Sequence, residues 1–137
     1  MIITSIEKDL SANDTGETGA HQAGILVPKD PSILGFFPPL GKAVKNPRVP
    51  IDAFDDAGHE WTFKFIYYNN RLFGGTRNEY RLTGMTAFFR RFDLRAGDTL
   101  IFRRVSNHRL NVSYRRANQG QQVIRLSTGW KVIEANL

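Results

Sequence analysis

The sequence contains no cysteine. Disulfides and thiolate metal sites are thereby excluded, and a reducing compartment fits without being required. No apolar run approaches the roughly 18 residues of a membrane helix, and the opening residues lack a charged-then-apolar signal pattern. A non-membrane, cytoplasmic protein is expected. The histidines His21, His59 and His108 lack the spacing of a zinc site. Gly16, Gly19 and Gly24 lack the strand-before, helix-after setting of a nucleotide-binding loop. A metal-dependent nuclease centre needs an Asp and, on the next strand, Asp/Glu-x-Lys, so that carboxylates hold a divalent ion. The acidic cluster Asp52, Asp55 and Asp56 has no such partner, and Lys64 follows Thr62 at that offset. No cofactor, no metal and no catalytic residue is expected in these 137 residues, and the chain by itself is read as not an enzyme.

What is present is a folded chain with an uneven charge. A hydrophobic content of 41%, with 12% aromatics, suits one domain over residues 1–137 with a single modest core. The net charge of +6 is not spread evenly. Residues 1–70 hold six Lys/Arg against nine Asp/Glu, whereas residues 71–137 hold thirteen, twelve of them Arg, against four. Clustered cations attract phosphates and release condensed counterions on binding. Arginine also contacts phosphate or the guanine edge bidentately, which lysine does not. A nucleic acid, a solvated basic surface and an anionic membrane surface all remain compatible with charge alone.

The residue pattern predicts a mostly β, small barrel-like domain of seven or so short strands with two short helices. Residues 11–24 are small and polar and read as a long ordered loop. Residues 24–28 form a short strand ending at Pro28, and Asp30-Pro31 starts a short helix that Pro38-Pro39 stops. Residues 41–50 are basic and proline-punctuated and read as a surface crossing. Trp61, Phe63 and Phe65 alternate with Thr62 and Lys64, which places the aromatics on one face of a strand. Residues 80–83 are strand-like, and 85–92 read as a helix with Phe88, Phe89 and Phe92 inward. A hairpin over 99–105 and 110–116 follows, then strands at 123–127 and 130–134. Arg103, Arg104, Arg115 and Arg116 on that hairpin are expected mainly at the solvent face.

Two long polar loops are then the natural places for function. In an extended segment, residues i, i+2 and i+4 share a face. Arg77, Glu79 and Arg81 therefore project together, while Asn78 and Tyr80 face the other way. Same-face neighbours are about 6.6 Å apart, close to two base steps of about 3.4 Å. Arginine donates to guanine O6 and N7, and glutamate accepts from cytosine N4. The competing reading is a surface salt-bridge cluster, with Arg77 and Arg81 flanking Glu79, which contributes little. His21 reads as a hydrogen-bonded loop residue or a DNA contact. Ser11, Asn13, Asp14 and Thr15 suit local turn chemistry or contacts to phosphates and bases equally. Asp14 is a candidate acceptor from cytosine N4, and Arg71, Arg90 and Arg91 suit phosphates or solvent better than bases.

Two stretches carry a specific resemblance. Leu10-Ser-Ala-Asn-Asp-Thr-Gly-Glu-Thr-Gly-Ala-His-Gln-Ala-Gly24 and Tyr67-Tyr-Asn-Asn-Arg-Leu-Phe-Gly-Gly-Thr-Arg-Asn-Glu-Tyr-Arg-Leu-Thr83 closely resemble the N-terminal effector-binding domain of EcoRII-type restriction endonucleases. The residues Trp61-Thr-Phe63, Leu82-Thr-Gly84, Leu94-Arg-Ala-Gly-Asp98, Ile101-Phe-Arg103 and Arg115-Arg-Ala117 are also similar to the plant B-three-type transcription-factor domain. The resemblance covers roughly residues 8–117. It implies a DNA-binding pseudobarrel that grips double-stranded DNA in the major groove, as a monomer, between arms at about 8–21 and 69–81, with the barrel core at about 24–134. It further implies a CCWGG site (W being A or T), a prokaryotic host and a C-terminal catalytic domain in a longer protein, for which this chain is the non-catalytic effector module. The alternative is a stand-alone DNA-binding regulator. The implied contacts are Arg77, Glu79 and Arg81 on one arm and His21 on the other. Asn78, Thr76 and Arg71 on the first arm, and Lys8, Ser11, Asn13, Asp14 and Thr15 on the second, are further candidate DNA contacts by their position on the arms. One departure stands out: the basic residue that the family carries two positions before the arginine is Gly75 here.

Overall fold

The computed structural model describes residues 2–19, 24–106, 109–117 and 129–135. Eight strands form one sheet: β1 (Ile2–Asp9), β2 (Ile25–Val27), β3 (Arg48–Phe54), β4 (Glu60–Tyr68), β5 (Glu79–Thr83), β6 (Thr99–Ser106), β7 (Arg109–Arg115) and β8 (Trp130–Ala135). Their order is β2-β5-β4-β3-β7-β6-β1-β8. Neighbours pair antiparallel except β3 and β7, which meet in parallel at Phe54 and Asn111 alone. The sheet is thus two antiparallel halves joined at one narrow seam, and they face each other across the core. Phe63 on β4 packs edge-on against Phe102 on β6, ring centroids 6.0 Å apart.

Two groups of aromatics fill the interior. Asp30 caps α2 (Pro31–Leu34) through its side chain, with proline at the first helical position. The chain leaving α2 drives Phe37 inward, where it stacks on Phe65 at 4.6 Å and meets Phe102 and Trp130 edge-on. From α3 (Thr86–Arg91), Phe88 and Phe89 enter the core while Arg90 and Arg91 stay exposed. The alternation along β4 holds as expected, with Phe63 and Phe65 buried and Thr62 and Lys64 exposed.

The mostly β architecture of short strands is as expected, with a third short helix, α1 (Ala12–Thr15), added. Three readings of particular segments need correction. Residues 48–50 belong to β3 and not to a surface crossing. Proline is tolerated there because Pro50 pairs only with Lys64, far from the single bridge to β7, so its missing N–H removes no ladder bond on the other side. The loop over 11–24 begins with α1, whose capping box joins Ser11 Oγ to the Asp14 amide and the Asp14 carboxylate to the Ser11 amide. The barrel core also begins earlier than expected, since β1 lies between β6 and β8. The strand expected at 123–127 lies outside the described residues.

Candidate nucleic-acid interface

The arm at 69–81 is anchored before it is armed. Asn69, fully buried, accepts from the Asn46 amide at 2.7 Å and donates to the Val44 carbonyl at 2.9 Å. The 3-10 turn Asn70–Phe73 follows, ended by Gly74 in the left-handed region at φ +88°. The Arg71 amide donates to the Arg77 carbonyl at 2.9 Å, tying the turn to the segment that leads into β5. Gly75 closes the turn: its amide donates to Asn70 O, and a Cβ there would lie 2.9 Å from the Asn70 Cβ. A side chain at this position requires the turn to shift, which gives a physical setting for the departure noted above.

The structure brings Arg77, Glu79 and Arg81 together on one face. Arg77 Nε donates to Glu79 Oε1 at 2.6 Å, and Arg81 donates to Glu79 Oε2 at 3.2 Å. Burial pushes the Glu79 carboxyl up, but the bonds and charges of Arg77 and Arg81 outweigh this and hold it below the ordinary glutamate value. The Arg77 guanidinium lies 3.7 Å from the Tyr68 ring centroid, and Arg81 reaches the Gly24 carbonyl at 3.0 Å. Tyr68 is opposite Glu79 in the β4–β5 register, which explains the stacking. Neither Tyr68 nor Gly24 was legible as a partner, because both relations depend on strand register and chain return. Gly24 itself is required by close approach: at φ +88°, a Cβ would lie 2.6 Å from the Leu82 carbonyl oxygen.

Asn78 is not brought to this face. Its side-chain carbonyl accepts from the Tyr67 hydroxyl at 2.8 Å, and Tyr67 stacks on Tyr80 at 4.2 Å. Thr76 and Arg71 are exposed on the arm. Lys8 is not at the surface either: it is 7% exposed, lies in β1 and pairs with Asp14 at 3.2 Å while donating to its neighbour's carbonyl. Lys8 and Asp14 therefore support α1 from beneath, and the arm proper starts after β1. Ser11 caps α1, Thr15 donates to Ala12 O, and Asn13 accepts from the Thr18 hydroxyl. Of the expected contacts on this arm, Ser11 and Asn13 are exposed and Thr15 is half-buried. His21 lies outside the described residues.

Between the α1 turn and α3 runs a cleft of about 660 Å³ whose walls include Thr15, Gly16, Arg90 and Arg95. Many cations of the basic half are already matched: Arg115 by Glu7, Arg116 by Asp98, and Arg95 by Asp93. Arg104 donates to the Phe36 carbonyl. Among the described residues, the guanidinium groups of Arg71 and Arg90 make no hydrogen bond or ion pair, so their charge remains available to an anion. Two results are expected. Asn69→Ala leaves the Asn46 amide and Val44 carbonyl without partners and costs about 1–3 kcal/mol in urea unfolding. Arg90→Ala, if its charge meets phosphate, weakens binding to all duplex sequences alike and reduces the salt slope by about one unit.

The open, seam-joined sheet with short helices is that of the B3-like DNA-binding pseudobarrel. An Arabidopsis FUS3–DNA complex superposes with a TM-score of 0.62 at 23% identity, over 82% of this chain and 96% of that one. The family model for the N-terminal part of restriction endonuclease EcoRII matches residues 2–108, and the chain belongs to that family. Type II restriction enzyme EcoRII of Escherichia coli is 42% identical over 79 residues, 56% of this chain and 19% of that protein. The B3 domain-containing transcription repressor VAL1 of Arabidopsis thaliana is 35% identical over 104 residues, 76% of this chain and 12% of that protein. The chain thus spans less than a fifth of either relative's length. Among the described residues, no helix is long and apolar enough to cross a membrane.

Proposed function

We propose that this chain binds a short, specific sequence of double-stranded DNA through the major groove. The observation that carries this reading is the Arg77–Glu79–Arg81 cluster, in which one ionised carboxylate aligns two guanidinium groups along a strand of the arm. Such alignment suits bidentate donation to guanines, with Glu79 free to exchange an arginine bond for a cytosine amino group. Arg77, Glu79 and Arg81 read bases. Thr76, Arg71 and Arg90 meet phosphates, and Ser11, Asn13, Thr15 and His21 supply the opposite arm. Lys8, Asp14 and Asn78 hold the arms in shape.

The domain acts as the non-catalytic effector module of a larger type II restriction endonuclease, binding as a monomer, and its site is CCWGG-like. Membership of the EcoRII N-terminal family supports this. A second reading, a stand-alone regulator, is favoured by one observation: similarity to the plant repressor extends over more of this chain than similarity to EcoRII. Fluorescence anisotropy on a CCWGG duplex and a scrambled one tests the site. Tighter binding to CCWGG by a factor of ~10³ or more is expected, whereas equal affinity contradicts it. Incubation with plasmid and Mg²⁺ leaves DNA uncut if the chain is non-catalytic.

A further inference from the structure

Six large hydrophobic residues are exposed among the described ones: Leu26, Val44, Leu72, Phe73, Val105 and Ile133. Only Leu72 and Phe73 are neighbours in the chain, at 50% and 46% exposure, and both lie on the 3-10 turn of the arm. Isolated exposed apolar side chains are ordinary, but an adjacent pair beside a recognition cluster asks for a partner.

The surroundings narrow that partner. Arg71 precedes the pair, and the Arg71 amide is bonded to the Arg77 carbonyl, so the turn is held rigidly beside the cationic reading face. The Leu72 amide donates to Asn69 O and the Gly75 amide to Asn70 O, which fixes the turn at both ends. A flanking row of guanidinium groups suits phosphates better than an apolar protein face. In the major groove, the apolar feature that a side chain meets on a base edge is the C5 methyl of a pyrimidine.

We infer that Leu72 and Phe73 read pyrimidine C5 methyl groups, adding an apolar contact to the polar readout of Arg77, Glu79 and Arg81. This rests on the major-groove reading proposed above. Adjacent 3-10 residues diverge by about 120°, so each side chain addresses its own position. Thymine and 5-methylcytosine present the same methyl, and the experiment separates them.

Affinities of the chain, Leu72→Ala and Phe73→Ala are measured on the preferred duplex. Each thymine is replaced in turn by deoxyuridine, and each cytosine by 5-methylcytosine, across the site and one flanking pair. At one or more positions, the unsubstituted chain is expected to favour the methylated base by about fourfold. One alanine variant loses that preference at the same position, so the two changes are coupled and not additive. Coupling at a thymine or at a cytosine identifies the source. Both residues are half-exposed, so unchanged thermal midpoints confirm that the variants fold. Absence of coupling at every pyrimidine, with specific binding intact, overturns this inference alone. If the unsubstituted chain prefers no sequence, the major-groove reading falls first, and this inference with it.

Discussion

Arg77→Ala is expected to abolish discrimination at one base pair of the bound site while leaving the other positions and the fold intact. A good bidentate contact discriminates by about 1–3 kcal/mol, so the affected pair loses roughly five- to 150-fold in selectivity. Glu79→Ala behaves differently, because its two oxygens engage two arginines. Its loss frees both guanidinium groups at once and removes a negative charge from the cationic face. Selectivity falls at more than one base pair, while affinity for unrelated duplex rises. Opposite movement of specific and non-specific affinity distinguishes a bracing carboxylate from a passive surface charge. Stability changes little in either variant, below about 1 kcal/mol, since both residues of the Arg77–Glu79 pair are partly solvent-exposed. The pH dependence follows from the same geometry. The Glu79 carboxyl sits below the ordinary value of 4.5 in the folded chain, so its contribution is fully present above that value and is lost as pH falls through the lowered one. Selectivity that decayed already between pH 7 and 6 would point to another group. Uniform loss of affinity for all sequences in both variants would contradict base reading by this cluster.

The second large effect lies in the core. Phe88 is fully buried and touches Trp61, Phe63, Phe89 and Phe92 at centroid distances of 5.3, 5.8, 6.4 and 4.9 Å. Phe88→Ala removes the wedge between α3 and β4 and leaves a cavity that surrounding rings fill only in part. The expected cost in urea unfolding is about 3–5 kcal/mol, a large share of the 5–15 kcal/mol or so that a domain has. Because α3 also carries Arg90 into the cleft beside the α1 turn, the variant weakens non-specific DNA binding as well. A loss below about 1 kcal/mol would mean that the aromatic cluster closes around the gap or is not the core's main support.

Parts of this molecule were legible because their physics is local. The alternation in β4, the inward phenylalanines of α3 and the Asp30-Pro31 start of α2 need only neighbours in sequence. The shared face of Arg77, Glu79 and Arg81 was legible for the same reason. What escaped depends on distant partners. β1 reads as polar because Glu7, Lys8 and Asp9 are buried only by virtue of Arg115, Asp14 and Thr99, the first and last on other strands. β3 was obscured by prolines that an open stretch of strand tolerates. Asn69 looks like any loop asparagine until the 44–46 segment closes on it. The α1 turn was written in the Ser11-x-x-Asp14 spacing, yet the surrounding glycines masked it.

The central claim is specific recognition, and it is tested most directly by selecting bound duplexes from a randomised pool at two salt concentrations. The account predicts one enriched short motif at both, with overall affinity falling as salt rises. A steep salt dependence without any enriched motif would contradict it, and would make the chain a general polyanion binder.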